Sequence, residues 1–287
     1  MPAEAIHLSA LADTVASADG AIARALDAHP REARLGAVLI DLPYFDRFPV
    51  ELLRYVARRP PRSSPWGDRF HRAAPSRVGL ELLRAARRSP SGRALALALG
   101  YLSHAAVDTA LHPLVNRLAR ARAADNDTTV DAEHREVEKF HSVLFHERRL
   151  GEDKMGTRAL TKYIAVDAEP LLADPALRAF LDGALASALG ASPRDWAKWA
   201  RGYRQYVGVL GSPLGKLPAP PSAKARARGP LYDAVRFDEA YAGAVALSRR
   251  FVTAGFAALD GDRLTDEEWF AAVPEGSLDH PPAKEPA

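Results

Sequence analysis

Along most of this chain apolar residues recur at the three- and four-residue spacing of an amphipathic helix, and strand-like alternation is nearly absent. Ser9–His29, "SALADTVASADGAIARALDAH", reads as one helix rich in small residues. "FPVELLRYVARR", residues 48–59, is a short amphipathic helix ended by "PPRSSPWG". "PSRVGLELLRAARR", residues 75–88, is another, with Pro75 at its start and Pro90 beyond its end. Ala94–Leu111 is apolar nearly all round, the mark of a buried central helix, and Pro113 is expected to end or kink it. After the polar loop and capping region "ADNDTT", residues 124–129, a helix over 130–150 stops at Gly151, a residue suited to a helix C-terminus.

Three later helices are predicted: Pro175–Leu189 with Asp174 as N-cap, Pro193–Leu210, and Phe237–Leu259. Between the last two, "GSPLGKLPAPPSAKARARGP", residues 211–230, reads as a long loop with Lys224, Arg226 and Arg228 solvated. "EGSLDHPPAKEPA", residues 275–287, reads as a disordered tail. The pattern predicts one all-α domain over residues 1–262 and a C-terminal extension over 263–287.

Composition narrows the chemistry. The 287 residues are 47% hydrophobic and 26% charged, which suits a globular protein with a sizeable core. A net charge of +3 is too small to argue for nucleic acid. The chain has no cysteine, so disulfides and thiolate ligands are excluded, and a metal site has to use His, Asp and Glu. The N-terminus carries Glu4 and Asp13 and no basic run, unlike a secretory signal peptide. The uncharged stretch Ala94–Val107 is too short to span a bilayer. A soluble, cytoplasmic protein is expected.

The candidate chemistry sits inside the most apolar helix. "GYLSHAAVDTALHPLVN", residues 100–116, places His104, Asp108 and His112 four apart. Each step of four turns a helix about 40° past its starting direction, so the three form a slowly drifting stripe of neighbours about 5–6 Å apart. The ends lie about 12 Å apart along the axis, too far for one ion to take both. The stripe therefore points either to a multinuclear metal site or to core histidines with ordinary hydrogen-bond partners. His134 and Glu138 repeat the spacing in "EHREVEKFH" and offer nitrogen and oxygen donors on one face, or a solvated pair. Upstream, His7 in "AIHLSALA", Asp41 in "GAVLIDLPYF" and His71 in "GDRFHRAAP" are further candidates, each readable as a helix-face, turn or loop residue instead.

Taken in order, "IH", "GAVLID", "FH", "GYLSHAAVDTALH" and "HREVE" resemble the zinc-dependent phospholipase C family over roughly residues 5–140. The resemblance implies an all-helical bundle of that type binding two or three zinc ions in a cleft. Position by position it implies Asp41, His71, His104 and Asp108 around one ion and His112, His134 and Glu138 around a second. Asp108 would bridge toward a third ion that also takes His7. In secreted members that third ion is completed by an N-terminal tryptophan. This chain begins Met1-Pro2, which leaves the third position weak, empty or completed by another group such as Glu4. The Asp108–His112 spacing is also short for the family, and Pro113 is placed to adjust the backbone. His141 falls near Glu138 and is expected to support a ligand, while His29 and His146 are expected at the surface and His280 in the tail.

The implied activity is a zinc-dependent phosphodiesterase, cleaving a phospholipid or related phosphodiester with metal-activated water. Asp41 is the candidate to orient or deprotonate that water. Tyr44, Phe45, Phe48, Trp66, Phe70 and Tyr101 are candidates for a headgroup pocket or for core packing. "ARRPPR", residues 57–62, suits either transient contact with an anionic lipid surface or a solvated turn. The alternatives are a nuclease-like phosphoesterase and a non-catalytic metal-binding helical scaffold. Nucleases of this fold end the last motif in Asp and carry disulfides, so Glu138 and the missing cysteines lean away from nucleic acid. A di-iron bundle could draw on the Glu4…His7 and Glu138…His141 spacings but leaves the stripe unexplained.

Overall fold

The apolar run around Gly100 lies inside one 35-residue helix, Gly92–Asn126, and the other helices pack around it. The computed structural model describes residues 3–57, 59, 62, 64–72, 75–88, 91–260 and 265–274. In chain order its helices are α1 (Ala3–Ser17), α2 (Gly20–Asp27), α3 (Pro30–Gly36), α4 (Phe48–Val56), α5 (Pro65–Arg72), α6 (Pro75–Arg88), α7 (Gly92–Asn126) and α8 (Val130–Leu150). There follow α9 (Arg158–Ile164), α10 (Ala168–Ala173), α11 (Pro175–Leu189), α12 (Trp196–Leu210), α13 (Pro221–Arg228), α14 (Phe237–Asp260) and α15 (Asp266–Ala272). No strand occurs among the described residues, and the all-α expectation holds.

Small residues explain why α7 can be central. Gly36 on α3 and Gly100 on α7 let two backbones touch: a Cβ on Gly36 would lie 2.1 Å from the Leu97 carbonyl oxygen, and one on Gly100 would lie 2.0 Å from the Ala33 oxygen. This crossing carries residues 37–41 across the middle of α7 and sets Asp41 opposite His104. α14 runs along another face of α7, and α1 packs against both. A buried chain of hydroxyls joins the three, from Thr14 Oγ1 to Ser248 Oγ at 2.8 Å and on to Ser103 Oγ at 2.8 Å.

α7 alone among the described helices is long and apolar enough to cross a membrane, and it is buried in the core of the protein. It also continues through Pro113 to Asn126, so the proline does not end it. The ring faces outward at an exposed position, and packing on either side of it outweighs a cost of about 3 kcal/mol for an interior proline.

Other expectations are met or revised locally. Asp174 caps α11 by accepting from the Ala176 and Leu177 amides, and Gly151 ends α8 with φ 69°. The single helix predicted over Ser9–His29 is two, broken at Ala18–Asp19, with extended backbone at Asp19 beginning α2. α12 begins at Trp196 rather than Pro193. The stretch predicted as a loop over 211–230 contains α13, and its Lys224 is buried between Glu147 and Asp153 rather than solvated. His146 is buried against Tyr163 and Phe145, not at the surface, and His29 is half-buried. Beyond residue 262, α15 packs on α14 and its buried Trp269 donates to the Ser76 carbonyl at 2.9 Å. The tail predicted over 275–287, with His280, lies outside the described residues.

The helix contact at Gly100 has a measurable sign. Helix propensity alone makes Gly→Ala stabilising by about 0.5–1 kcal/mol, and Gly183 on α11, with open space around its Cβ position, should behave so. Gly100→Ala should instead destabilise, by about 1–3 kcal/mol, because its methyl meets backbone. Urea unfolding of the two variants side by side checks the opposite signs.

Candidate metal centre

Five segments deliver side chains to one place. α1 brings His7, the turn after α3 brings Asp41, α5 brings His71 near its C-terminus, α7 brings the stripe and α8 brings His134 and Glu138. All eight predicted ligands fall into three groups whose donor atoms lie within 4.8 Å of one another: His7, His104 and Asp108; Asp41, His71 and His104; His112, His134 and Glu138. Asp108 is the hub. Its Oδ1 lies 3.3 Å from His7 Nε2 and 3.5 Å from His112 Nε2, and its Oδ2 lies 2.9 Å from His104 Nε2 and 3.8 Å from His71 Nε2.

These separations suit a metal better than they suit hydrogen bonds. Two donors about 2.0–2.1 Å from one zinc in a tetrahedron are about 3.3 Å apart. His71 Nε2 to Asp41 Oδ1 is 3.4 Å, His112 Nε2 to Glu138 Oε1 is 3.4 Å, and His134 Nε2 to Glu138 Oε1 is 3.2 Å. Most of these pairs stand at or beyond the range of a good hydrogen bond while every donor points inward. The far side of three of the rings is tied to the fold, which fixes the tautomer that leaves Nε2 free to ligate. His104 Nδ1 donates to the Ala37 carbonyl at 2.7 Å, His71 Nδ1 to the Gly67 carbonyl at 2.9 Å, and His134 Nδ1 to Asn116 Oδ1 at 2.9 Å.

The same constraint divides the donors. His104 has only Nε2 to offer, so the two groups that contain it cannot both claim it. Asp41, His71 and His104 form one three-donor group, which Asp108 Oδ2 borders at 2.9 Å from His104 and 3.8 Å from His71, and His112, His134 and Glu138 form another. His7 then retains only the other oxygen of Asp108. Glu4 does not join it: its carboxylate accepts from Tyr206 Oη at 2.9 Å, and it lies in none of the three groups. A small enclosed cavity borders Glu4, His146, Tyr206 and Met155 and contains none of the eight residues.

The electrostatics are those of charges buried in matched sets. Burial alone would raise the Asp108 carboxyl, but the His112, His104 and His7 rings hold it well below the usual carboxylate range. Burial likewise opposes ionisation of Glu138, and His134 and His112 win, while His104 and His71 keep Asp41 low. Against its own burial, His104 is raised by Asp108 and then Asp41 to about 9. His7 is lowered, first by burial and then by His104, on which it stacks at 3.7 Å between ring centroids. Burial, with the Asp41 charge adding to it, pushes Glu4 up to about 8.

Some residues near the motifs serve the core. Phe45, Phe48, Phe70 and Tyr101 are buried, whereas Tyr44 remains 39% exposed with its ring 5.4 Å from that of His71. His141 does not support a ligand. It hydrogen-bonds the Leu231 carbonyl and stacks on Phe237, and burial lowers it to about 4. Asn116, outside the predicted ligand set, supports His134, and the four-residue stripe of 104, 108 and 112 reaches it in one more step.

A family model described as zinc dependent phospholipase C matches residues 6–176, more than half of the chain and a span that includes all eight residues. No curated protein and no solved structure matches.

Two outcomes follow from the tautomer and charge of the ligands. Asn116→Ala should weaken zinc binding at the His112, His134 and Glu138 group by about 10–100-fold, read by chelator competition, with helicity unchanged. His104 carries a proton at neutral pH in the metal-free protein and must lose it to ligate. Zinc uptake should therefore release that proton at neutral pH, and the release should fade as pH rises through about 9, as titration calorimetry in buffers of different ionisation enthalpy will show.

Proposed function

The chain belongs to the zinc-dependent phospholipase C family, and from that premise we propose that it is a metal-dependent phosphodiester hydrolase acting on a phospholipid or a related phosphodiester. The observation that carries this reading is the pair of inward-facing donor sets joined through Asp108 and His112, whose Nε2 lies 3.5 Å from Asp108 and 3.4 Å from Glu138. Asp41, His71, His104 and Asp108 would hold one zinc ion, and His112, His134 and Glu138 would hold a second. His7 and Asp108 would be the chain's donors to a third. When bound, the ions supply Lewis-acid polarisation of a phosphoryl oxygen and a lowered pKa for attacking water.

The chain's own residues divide the remaining tasks by depth. His104 and Asp108 form the floor, with side chains 0% and 4% exposed. His134 and Glu138, at 21% and 19%, and Asp41, at 14%, form the rim where substrate and water enter. Of the two rim carboxylates, Asp41 belongs to the donor group that includes the floor residue His104. Held ionised by His104 and His71, it accepts a hydrogen bond from the nucleophilic water, orients it and can take its proton. The Nδ1–H groups of His71, His104 and His134 are committed to backbone or to Asn116, which orients Nε2 of those three rings toward the centre. Tyr44, at the edge of His71, is the aromatic face available to a headgroup, the other candidates being mostly spent on packing.

His104→Ala and Asp108→Ala should each lose bound zinc and hydrolysis together. Asp41→Asn should keep the ion at His112, His134 and Glu138 while lowering kcat/KM by roughly 10²–10⁴-fold. Elemental analysis, paired with assays on phosphatidylcholine, a soluble choline phosphodiester and single-stranded DNA, checks all three. Turnover of DNA alone would move the substrate class to nucleic acid, and full zinc with no turnover would leave a metal-binding scaffold.

A further inference from the structure

The exposed large apolar side chains are concentrated in one place. Among the described residues they are Tyr44, Val50, Leu53, Val56, Val130, Leu214 and Leu217, and the first four fall within thirteen residues on and just before α4. Leu53 is 70% exposed and Val56 67%. Val50, Leu53 and Val56 follow one another at three-residue steps and so share one face of the helix. The opposite side of α4 is spoken for: Phe48 packs on Tyr206 and Leu52 leans on the core.

α4 is fastened to the rim of the metal centre. Tyr44, four residues ahead of α4, packs on His71, and the Arg62 amide donates to Glu51 Oε2 at 3.3 Å. Ser64, just before the helix that carries His71, donates to the Pro43 carbonyl at 3.1 Å. The apolar face and the entrance beside Asp41 and His71 therefore belong to one locally braced unit.

The charge around that face has one sign to spare. Arg47, Arg59 and Arg62 are exposed beside it, Arg47 also lying 3.6 Å from Asp46. The acids of the same stretch are engaged, Asp46 with Lys198 and Glu51 with Arg54. An exposed apolar stripe with a basic margin is the pattern of a helix that lies in a bilayer interface, apolar residues toward the acyl chains and cations toward anionic headgroups.

We propose that α4 docks the protein on anionic phospholipid bilayers through Val50, Leu53 and Val56, with Arg47, Arg59 and Arg62 meeting the headgroups, and so holds the rim of the metal centre at the lipid surface. The proposal deepens the phospholipid reading above, and rests on it for why a bilayer is the partner. The occupant is a lipid surface rather than a second copy of the chain because the margin is cationic: a two-fold pairing of this face would bring like charges together.

The test is co-sedimentation of zinc-loaded protein with vesicles of phosphatidylcholine, with and without one-third phosphatidylglycerol. Binding should rise with phosphatidylglycerol and fall with added salt. Leu53→Asp and Val56→Asp should each lower the partition coefficient at least about tenfold, and Arg59→Glu should remove most of the preference for phosphatidylglycerol. Zinc content and turnover of a soluble choline phosphodiester should be unchanged in all three. Absence of binding by the unaltered protein, or equal binding by the variants, overturns the docking proposal. So does a concentration-dependent dimer that Leu53→Asp dissolves. Vesicle binding without hydrolysis of any phosphodiester removes the catalytic reading and leaves the docking, and hydrolysis of the soluble substrate without vesicle binding does the reverse.

Discussion

A carboxylate placed deep in a protein has to be matched, and the buried Asp108 is the charge around which this molecule is arranged. Four imidazoles approach it from α1, α5 and α7, and the helices that carry them must converge for the charge to be tolerated. In the metal-free protein His104, raised to about 9, is the protonated ring beside Asp108. The backbone contact of Gly36 and Gly100 serves the same end, because it brings Asp41 and the Ala37 carbonyl to opposite sides of His104. Packing of the central helices and the chemistry of the centre are thus one arrangement.

The parts of this arrangement that repeat with the helix period were legible in the sequence. Polar residues at 104, 108 and 112 on an otherwise apolar helix have few structural explanations, and the His134–Glu138 step offered donors to complete the set. Three residues lay beyond that logic. His7, Asp41 and His71 sit on separate segments, and no local pattern states that distant segments meet; only the order of motifs shared with a family joined them to the stripe. Asn116 was within reach of the pattern, but an amide does not announce itself as a partner of an imidazole from another helix.

Where sequence reasoning failed, the deciding interactions were non-local. Lys224 reads as solvated because its neighbours are charged and small, yet Glu147 and Asp153 wait for it on the far side of a turn. α13 around it is held by alanine's helix propensity more than by an apolar stripe, so periodicity could not find it. Pro113 fails to stop α7 for a related reason, since burial on both sides of it is a tertiary property. His141 and His146 share α8 with two candidate ligands, and their rotation about that helix takes them into packing instead.

The hydroxyl chain from Thr14 through Ser248 to Ser103 bears on His7, the first of the candidate ligands. Thr14 stands two turns beyond His7 on the same side of α1, and Ser103 is the immediate neighbour of His104. An N-terminal helix is ordinarily the element most apt to fray. Here it is pegged at both ends of one face, by imidazole against carboxylate and by hydroxyl against hydroxyl, so it can neither roll nor slide along the bundle. The reach of His7 is therefore gauged by a fastening about 10 Å further along the helix, out of contact with any ion.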